Sequence, residues 1–413
     1  RQSEVRARYA AQGLTDKIAL LDTRPRLYSD LYTLGDTDGY FYGALAPSTG
    51  FIDRFGIEPY YNGFYLALPL RTAPDRLNTN VEQEKMFGIF QEYQSWVRIM
   101  GVPTVGAVNS KVLAGDAGGM IKLAEAFHER KFAWVADTIY DANISRGVRM
   151  VLISGPSSSG KTTSAKRLGI QLGVLGLHPV LISLDDYFVD REKTPRDADG
   201  NYDYEALEAI DLGLFNDHLC RLMRGESVDI PRYDFITGRR TWHKNPLTLD
   251  ERSILIVEGI HGLNPRLTPS VPEAQKFRIY ISCFTSVAMD NLSRIATTDN
   301  RLLRRIVRDH KYRGVSAVET IRRWPSVRRG EEKWIFPYQE NADAMFNSSL
   351  LFEVAVLKEY ALELLKRVPH DVPEYGEAWR LMRFLEPFAP IEPYMIPPTS
   401  LLREFVGGSS FSY

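Results

Sequence analysis

Apolar positions follow two different periods along this chain. Short apolar runs at 150–153, 179–184, 253–257 and 276–281, each closed by polar turn residues, predict buried strands of a parallel sheet. Between them the apolar positions take a helical spacing, as in the stretch from Thr162 through Leu168, Ile170 and Leu172. This alternation predicts a doubly wound α/β domain over about 148–368. Residues 1–147 predict a smaller α+β domain: aromatic-rich strands at 40–45 and 60–68, then helices at 83–100 and 117–142. The second helix is apolar on one side (Ile121, Ala124, Phe132, Val135, Ile139) and leads through Gly147 into the first parallel strand. The Gly-rich stretch 101–119 reads as a linker or a ligand loop. Residues 369–413 are Pro-rich (Pro387, Pro390, Pro393, Pro397, Pro398), with a short helix near 379–385, and are expected to pack on the α/β domain, a flexible tail being the alternative.

Composition narrows the classes. A chain of 413 residues has room for about two or three domains, and 44% apolar with 25% charged residues is ordinary for a globular protein. A net charge of −1 gives no global attraction to nucleic acid or anionic membrane. Cys220 and Cys283 stand at no metal-type spacing, which argues against a disulfide framework and a cysteine zinc site and fits a reducing cytoplasm. No apolar run reaches membrane-spanning length and no signal-peptide pattern opens the chain, whose first residue, Arg1, fits a piece of a longer product.

The motif with the most chemistry is Gly155-x-x-x-x-Gly160-Lys161-Thr162, set between a strand and a helix. This is a P-loop. Glycines let backbone N–H groups cradle phosphates, the helix N-terminus favours anions, Lys161 neutralises β/γ-phosphates and the Thr162 hydroxyl can hold Mg²⁺. A nucleoside triphosphate, ATP or GTP, is the expected ligand. Asp185, after the second strand, suits a base for an attacking hydroxyl or a Mg²⁺ partner, with a helix N-cap as the bland alternative. Glu258 ends another buried strand and suits a magnesium-associated acid. Arg304, Arg305 and Arg308 share a helical spacing, Arg313 lies just beyond, and Arg322, Arg323, Arg328 and Arg329 extend the cluster. Together they suit a lid that neutralises a transferring phosphoryl group, whereas any one of them alone reads as a solvated basic face. The segment 230–235, IPRYDF, suits an acceptor pocket or a hairpin with two core aromatics.

Taken in order, GPSSSGKTT, ISLDDYF, GNYDYEALEAID, GESVDIPRYDF, VEGIHGL and LLRRIVRD resemble the uridine kinase/phosphoribulokinase family of P-loop kinases. The resemblance implies a P-loop sheet with a helical lid and Mg²⁺-dependent transfer of a γ-phosphoryl group to a ribose-type 5′-hydroxyl. It implies that Gly155, Ser157, Ser158, Ser159, Gly160, Lys161, Thr162 and Thr163 hold the nucleotide, with Arg313. It makes Asp185 the catalytic base, with Lys161 and Arg308 beside it, and gives the metal to Thr162, Glu258 and Asp185. Asp203 and Tyr202 would meet the ribose, Tyr233 and Phe235 the base, and Arg305 the acceptor. The family's pyrimidine-reading histidine is replaced by Gly238, followed by Arg239 and Arg240, and the lid glutamine is absent near Arg322 and Arg323. A nucleoside is therefore one acceptor reading and a sugar phosphate another. The long helix before the P-loop and the closing PTSLLREFVGGSSF resemble a bacterial uridine-kinase-like branch whose N-terminal region is similar to that of threonyl-tRNA synthetases. That similarity keeps a tRNA-associated, nucleotide-switched protein as the rival class. Family members often form homo-oligomers, although no strip of this sequence marks an interface.

Overall fold

The computed structural model describes residues 1–24, 26–41, 45–70, 73–79, 81–197 and 200–412, with the side chains of 243–245 left aside. Its centre is a parallel sheet of five strands: β1 (Met150–Ser154), β2 (His178–Ser183), β3 (Ser253–Glu258), β4 (Lys276–Ser282) and β5 (Ala344–Asn347), in the order β5-β4-β1-β3-β2. The helices that matter here are α1 (Ala117–Arg146), α2 (Lys161–Val174), α3 (Leu212–Met223), α4 (Thr297–Arg313), α5 (Ala317–Trp334), α6 (Glu353–Leu365) and α7 (Tyr375–Leu385).

The continuous apolar runs exist because both sheet faces are covered. On β1, Val151 and Ile153 enter one core with α1, α2, α4, α6 and α7, while Met150 and Leu152 enter the other with Tyr187 and the α3 residues Phe215 and Leu219. The strand period of two thus sorts neighbouring residues into separate cores. Register aligns Glu258 of β3 with Ile153 of β1 and with Ser183 of β2, so their C-terminal ends open on one crevice. From β1 the chain crosses to the edge strand β2, returns to β3 beside β1, and then passes to β4 on the other side of β1. That switch point is where open α/β sheets bind ligands.

The fifth strand was absent from the sequence reading; at four residues it is too short to show a period. The stretch 101–119 is neither linker nor loop at its centre. It holds a helix, Val105–Leu113, whose Gly106 lies so close to another helix that an added Cβ would stand 2.8 Å from Leu20 N. The expected strand at 40–45 is not seen at Tyr40 and Phe41, residues 42–44 lie outside the described residues, and the pairing falls earlier, Tyr32–Leu34 with Thr37–Gly39. The run 60–68 is the turn and second arm of a hairpin, Gly56–Tyr60 with Gly63–Ala67. Residues 1–147 meet the α/β domain through a buried ion pair, Lys17 Nζ to Asp290 of the loop after β4 at 2.5 Å, and through Tyr93 Oη, which donates to Asn347 O at 3.0 Å. In 369–412, Leu381, Phe384, Leu385, Leu401 and Phe405 are fully buried in the larger core.

Candidate active site

Strand β1 delivers the chain into the phosphate loop. Gly155 passes so near β4 that an added Cβ would lie 1.9 Å from Ile281 O, so only glycine fits. Ser158 (φ +59°) and Gly160 (φ +82°) then turn the backbone through the left-handed region into α2. The loop's outward carbonyls are held by α4: Arg301 Nε donates to Ser157 O at 3.0 Å, and Arg304 Nη1 to Ser158 O at 3.4 Å. Both guanidiniums are buried, paired with Glu331 and Glu353. Arg305 Nη1 donates to Ser157 Oγ at 2.8 Å. The arginine cluster therefore divides. Arg301 and Arg304 brace the loop from behind, whereas Arg305, Arg308 and Arg313 surround Asp309, at 3.2, 2.7 and 3.8 Å. Against the effect of its own burial, these three cations pull the Asp309 carboxyl down to about 2.

Lys161 Nζ folds onto the loop, donating to Gly155 O at 3.0 Å and Pro156 O at 3.2 Å. Burial lowers its pKa, while Glu258, Asp185 and Glu404 pull the other way. Glu258 Oε1 accepts from Thr162 Oγ1 at 3.1 Å and from Ser183 Oγ at 2.9 Å, tying β3 to the loop helix and to β2. Burial, reinforced by the nearby Asp185, pushes Glu258 up to about 7. Asp185 lies on a 3₁₀ turn, Leu184–Tyr187, that ends β2; its neighbour Asp186 turns the other way, accepting from Tyr233 N at 3.3 Å. Burial raises Asp186 to about 6.

The opposite wall is aromatic. The segment 230–235 lies in a hairpin, Val228–Asp234 with Arg239–Leu247, whose Tyr233 is buried and whose Phe235 is exposed at its tip. Tyr233 packs on Phe188 and Phe235 at 5.5 and 5.2 Å, and the Arg313 guanidinium stands 4.3 Å from the Phe235 ring. Tyr202 is covered by Arg196 at 4.2 Å, and Asp203 Oδ1 accepts from Glu205 N at 3.1 Å. Gly238 has φ +71°, and an added Cβ would lie 2.6 Å from the Arg191 guanidinium. Arg191 thus fills the ground a side chain at 238 would take, and its Nη2 donates to Phe235 O at 2.8 Å. Arg240 is paired with Asp211 at 3.0 Å, whereas Arg239 is exposed with Glu192 3.9 Å away.

The phosphoribulokinase/uridine kinase family model matches residues 150–355. A uridine kinase of Vibrio vulnificus is 30% identical over 223 residues, covering 52% of this chain and 96% of that protein. The chain belongs to the phosphoribulokinase/uridine kinase family. A uridine kinase of Schizosaccharomyces pombe is 33% identical over 198 residues, 48% of this chain, and the match spans only 38% of that relative's length. Among solved structures, a possible uridine kinase from Bacillus stearothermophilus has 20% identity and a TM-score of 0.36 over 53% of this chain and 98% of its own. A D-glycerate 3-kinase from Cryptococcus neoformans has 14% identity and a TM-score of 0.33, covering 46% and 80%.

Within the family frame, the residues suit a magnesium-bound polyphosphate. A glycine cradle closed to any Cβ, an ammonium over it, and hydroxyl and carboxylate oxygens of Thr162 and Glu258 form a hard-oxygen set beside an anion site. Sequence reasoning missed Glu205, whose Oε2 is buried without a hydrogen-bond partner, on a segment packed against Gly330 of α5. It also missed Arg191, Glu353 and Glu404. Glu205 lies two residues after Asp203 in its motif and Glu404 sits within the closing PTSLLREFVGGSSF, so both could have been suspected; Arg191 and Glu353 carry no local signal. Among the described residues no helix is long and apolar enough to cross a membrane.

Proposed function

We propose that this chain is a Mg²⁺-dependent kinase that moves the γ-phosphoryl group of ATP or GTP to the 5′-hydroxyl of a nucleoside-like acceptor. The observation that carries the reading is the cluster of Lys161, Thr162, Glu258 and Asp185 at the ends of three neighbouring strands, with Arg308 beside it. Two catalogued relatives bear the name uridine kinase, which supports the acceptor class.

In this reading Asp185 accepts the acceptor hydroxyl's proton as the new P–O bond forms and the bond to the β,γ-bridging oxygen breaks. Lys161 and Arg308 neutralise charge on the transferring group, and Arg313 and Arg305 close the cleft from α4. Mg²⁺, when bound, supplies further charge neutralisation; Thr162, Glu258 and Asp185 are the residues that would hold it. Asp203 and Tyr202 orient the ribose, and Tyr233 and Phe235 frame the base. Arg191 beside Gly238 favours a second acceptor, a ribosyl compound without a pyrimidine, because the usual base-edge reader has no room there.

The test is product identification. Full chain, Mg·ATP and a panel of nucleosides and sugar phosphates are incubated and phosphorylated products resolved by chromatography. A nucleoside 5′-monophosphate is expected. Turnover only of non-nucleoside acceptors selects the second reading, and no acceptor-dependent product refutes both.

A further inference from the structure

Residues 397–412 run back across the helical end of the phosphate loop. Leu401 is fully buried against Gly160, where an added Cβ would stand 2.6 Å from the leucine Cδ2. Glu404 Oε2 accepts from Thr163 Oγ1 at 2.6 Å and from the Thr163 backbone N–H at 3.2 Å. The next side chain, Phe405, is fully buried and lies 5.0 Å from the Arg304 guanidinium. Lys311 Nζ donates to Val406 O at 3.0 Å, and Lys166 Nζ donates to Ser412 O. The segment is bounded by Pro397–Pro398 on one side, and its middle turns at Gly407 (φ +88°) and Gly408 (φ +72°).

The Thr163 N–H is among the first donors of α2, which have no intrahelical acceptor and stand at the positive end of the helix. Such a position selects an anion. A carboxylate there makes the charge-assisted bonds a phosphate oxygen would make. Phe405, packed on Arg304 behind the loop, anchors the segment in the core.

We propose that the segment 397–412 is an internal occupant of the nucleotide site, with Glu404 holding the ground of a phosphate oxygen at the start of α2 and with Leu401 and Phe405 packed so as to keep it seated. This rests on the nucleotide reading above. Binding then proceeds with release of the segment, and apparent affinity is reduced by the fraction of molecules in which it is seated.

The experiment uses the full chain and Mg·ATP. Affinity is measured by titration calorimetry for the unmodified protein and for Glu404→Gln, and hydrogen exchange of 397–412 is followed with and without nucleotide. Glu404→Gln is expected to tighten Mg·ATP binding by about tenfold, because a charge-assisted contact of the closed state is lost. Saturating nucleotide is expected to speed exchange across 397–412. Binding of Mg·ATP with unchanged or increased protection of the segment overturns the proposal and leaves the nucleotide reading standing. Unchanged or weaker binding by a folded Glu404→Gln protein also overturns it. Should that variant melt early, exchange in the unmodified protein decides alone. Absence of Mg·ATP binding by both proteins removes the nucleotide reading and this proposal with it.

Discussion

On the phosphate side of the cleft, Arg301 and Arg304 are buried to 1% and 0% exposure, each with a buried carboxylate and a loop carbonyl. On the proposed acceptor side, Arg239 stands 72% exposed beside Glu192 at 3.9 Å, and Phe235 caps an open hairpin tip. The first arrangement holds one backbone conformation at high electrostatic stake, since either charge left alone in the core is costly. The second is cheap to alter. A phosphate tail presents the same shape to every kinase of this kind, so its cradle can be rigid. Acceptors differ, and the wall that meets them is built from contacts that substitutions can change without unfolding the chain.

That contrast is most easily broken by Glu353→Ala. It strips the counter-ion from Arg304 and a hydrogen-bond acceptor from Asn300 and Ser349, and should cost about 3–5 kcal/mol in urea unfolding. Glu192→Ala, its acceptor-side counterpart, should leave the midpoint unmoved. Equal losses would erase the distinction.

A pH series sharpens it next. His261, packed edge-on against Trp334 three residues beyond Glu258, is pushed down to about 4 by burial. Between pH 6.5 and about 4 the unfolded chain binds a proton there and the folded one does not. Stability is therefore full above 6.5 and lost as pH falls toward 4, by up to about 3 kcal/mol. His261→Phe should flatten that part of the profile, and an unchanged slope would show that the group does not stay neutral.

The smallest effect belongs to the open wall. Phe235→Ala removes the surface on which Arg313 rests and should cost about 1 kcal/mol. It should appear as a several-fold rise in acceptor KM with Mg·ATP affinity unchanged. A loss of nucleotide binding instead would mean that the two sides are not separable.

The sequence made the phosphate side legible because its groups are local. Gly155 to Thr162 are eight consecutive residues, and Asp185 and Glu258 each end an apolar run. Strands β1 and β3 were readable for the same reason, their burial on both faces leaving unbroken apolar stretches, while the edge strand β2 and the Arg278-interrupted β4 showed as shorter apolar runs. What escaped is joined across the chain. Glu353 meets Arg304 from a helix after a four-residue strand with no motif around it, and Glu404, although inside the closing motif, meets Thr163 across 241 positions that nothing in that motif announces. The arginine cluster was visible as a cluster. Its division into a buried brace and a cleft-facing set depends on tertiary burial, which helical spacing alone does not encode.

The most direct test of the central claim, that Asp185 faces a bound triphosphate as the base, is a paired measurement on Asp185→Asn. ADP release is followed with the acceptor identified from the panel, and Mg·ATP affinity is measured on the same preparation. The account predicts a fall in kcat of about 10²–10⁴ with nucleotide affinity changed by only a few-fold. Turnover within a few-fold of the unmodified protein would contradict it.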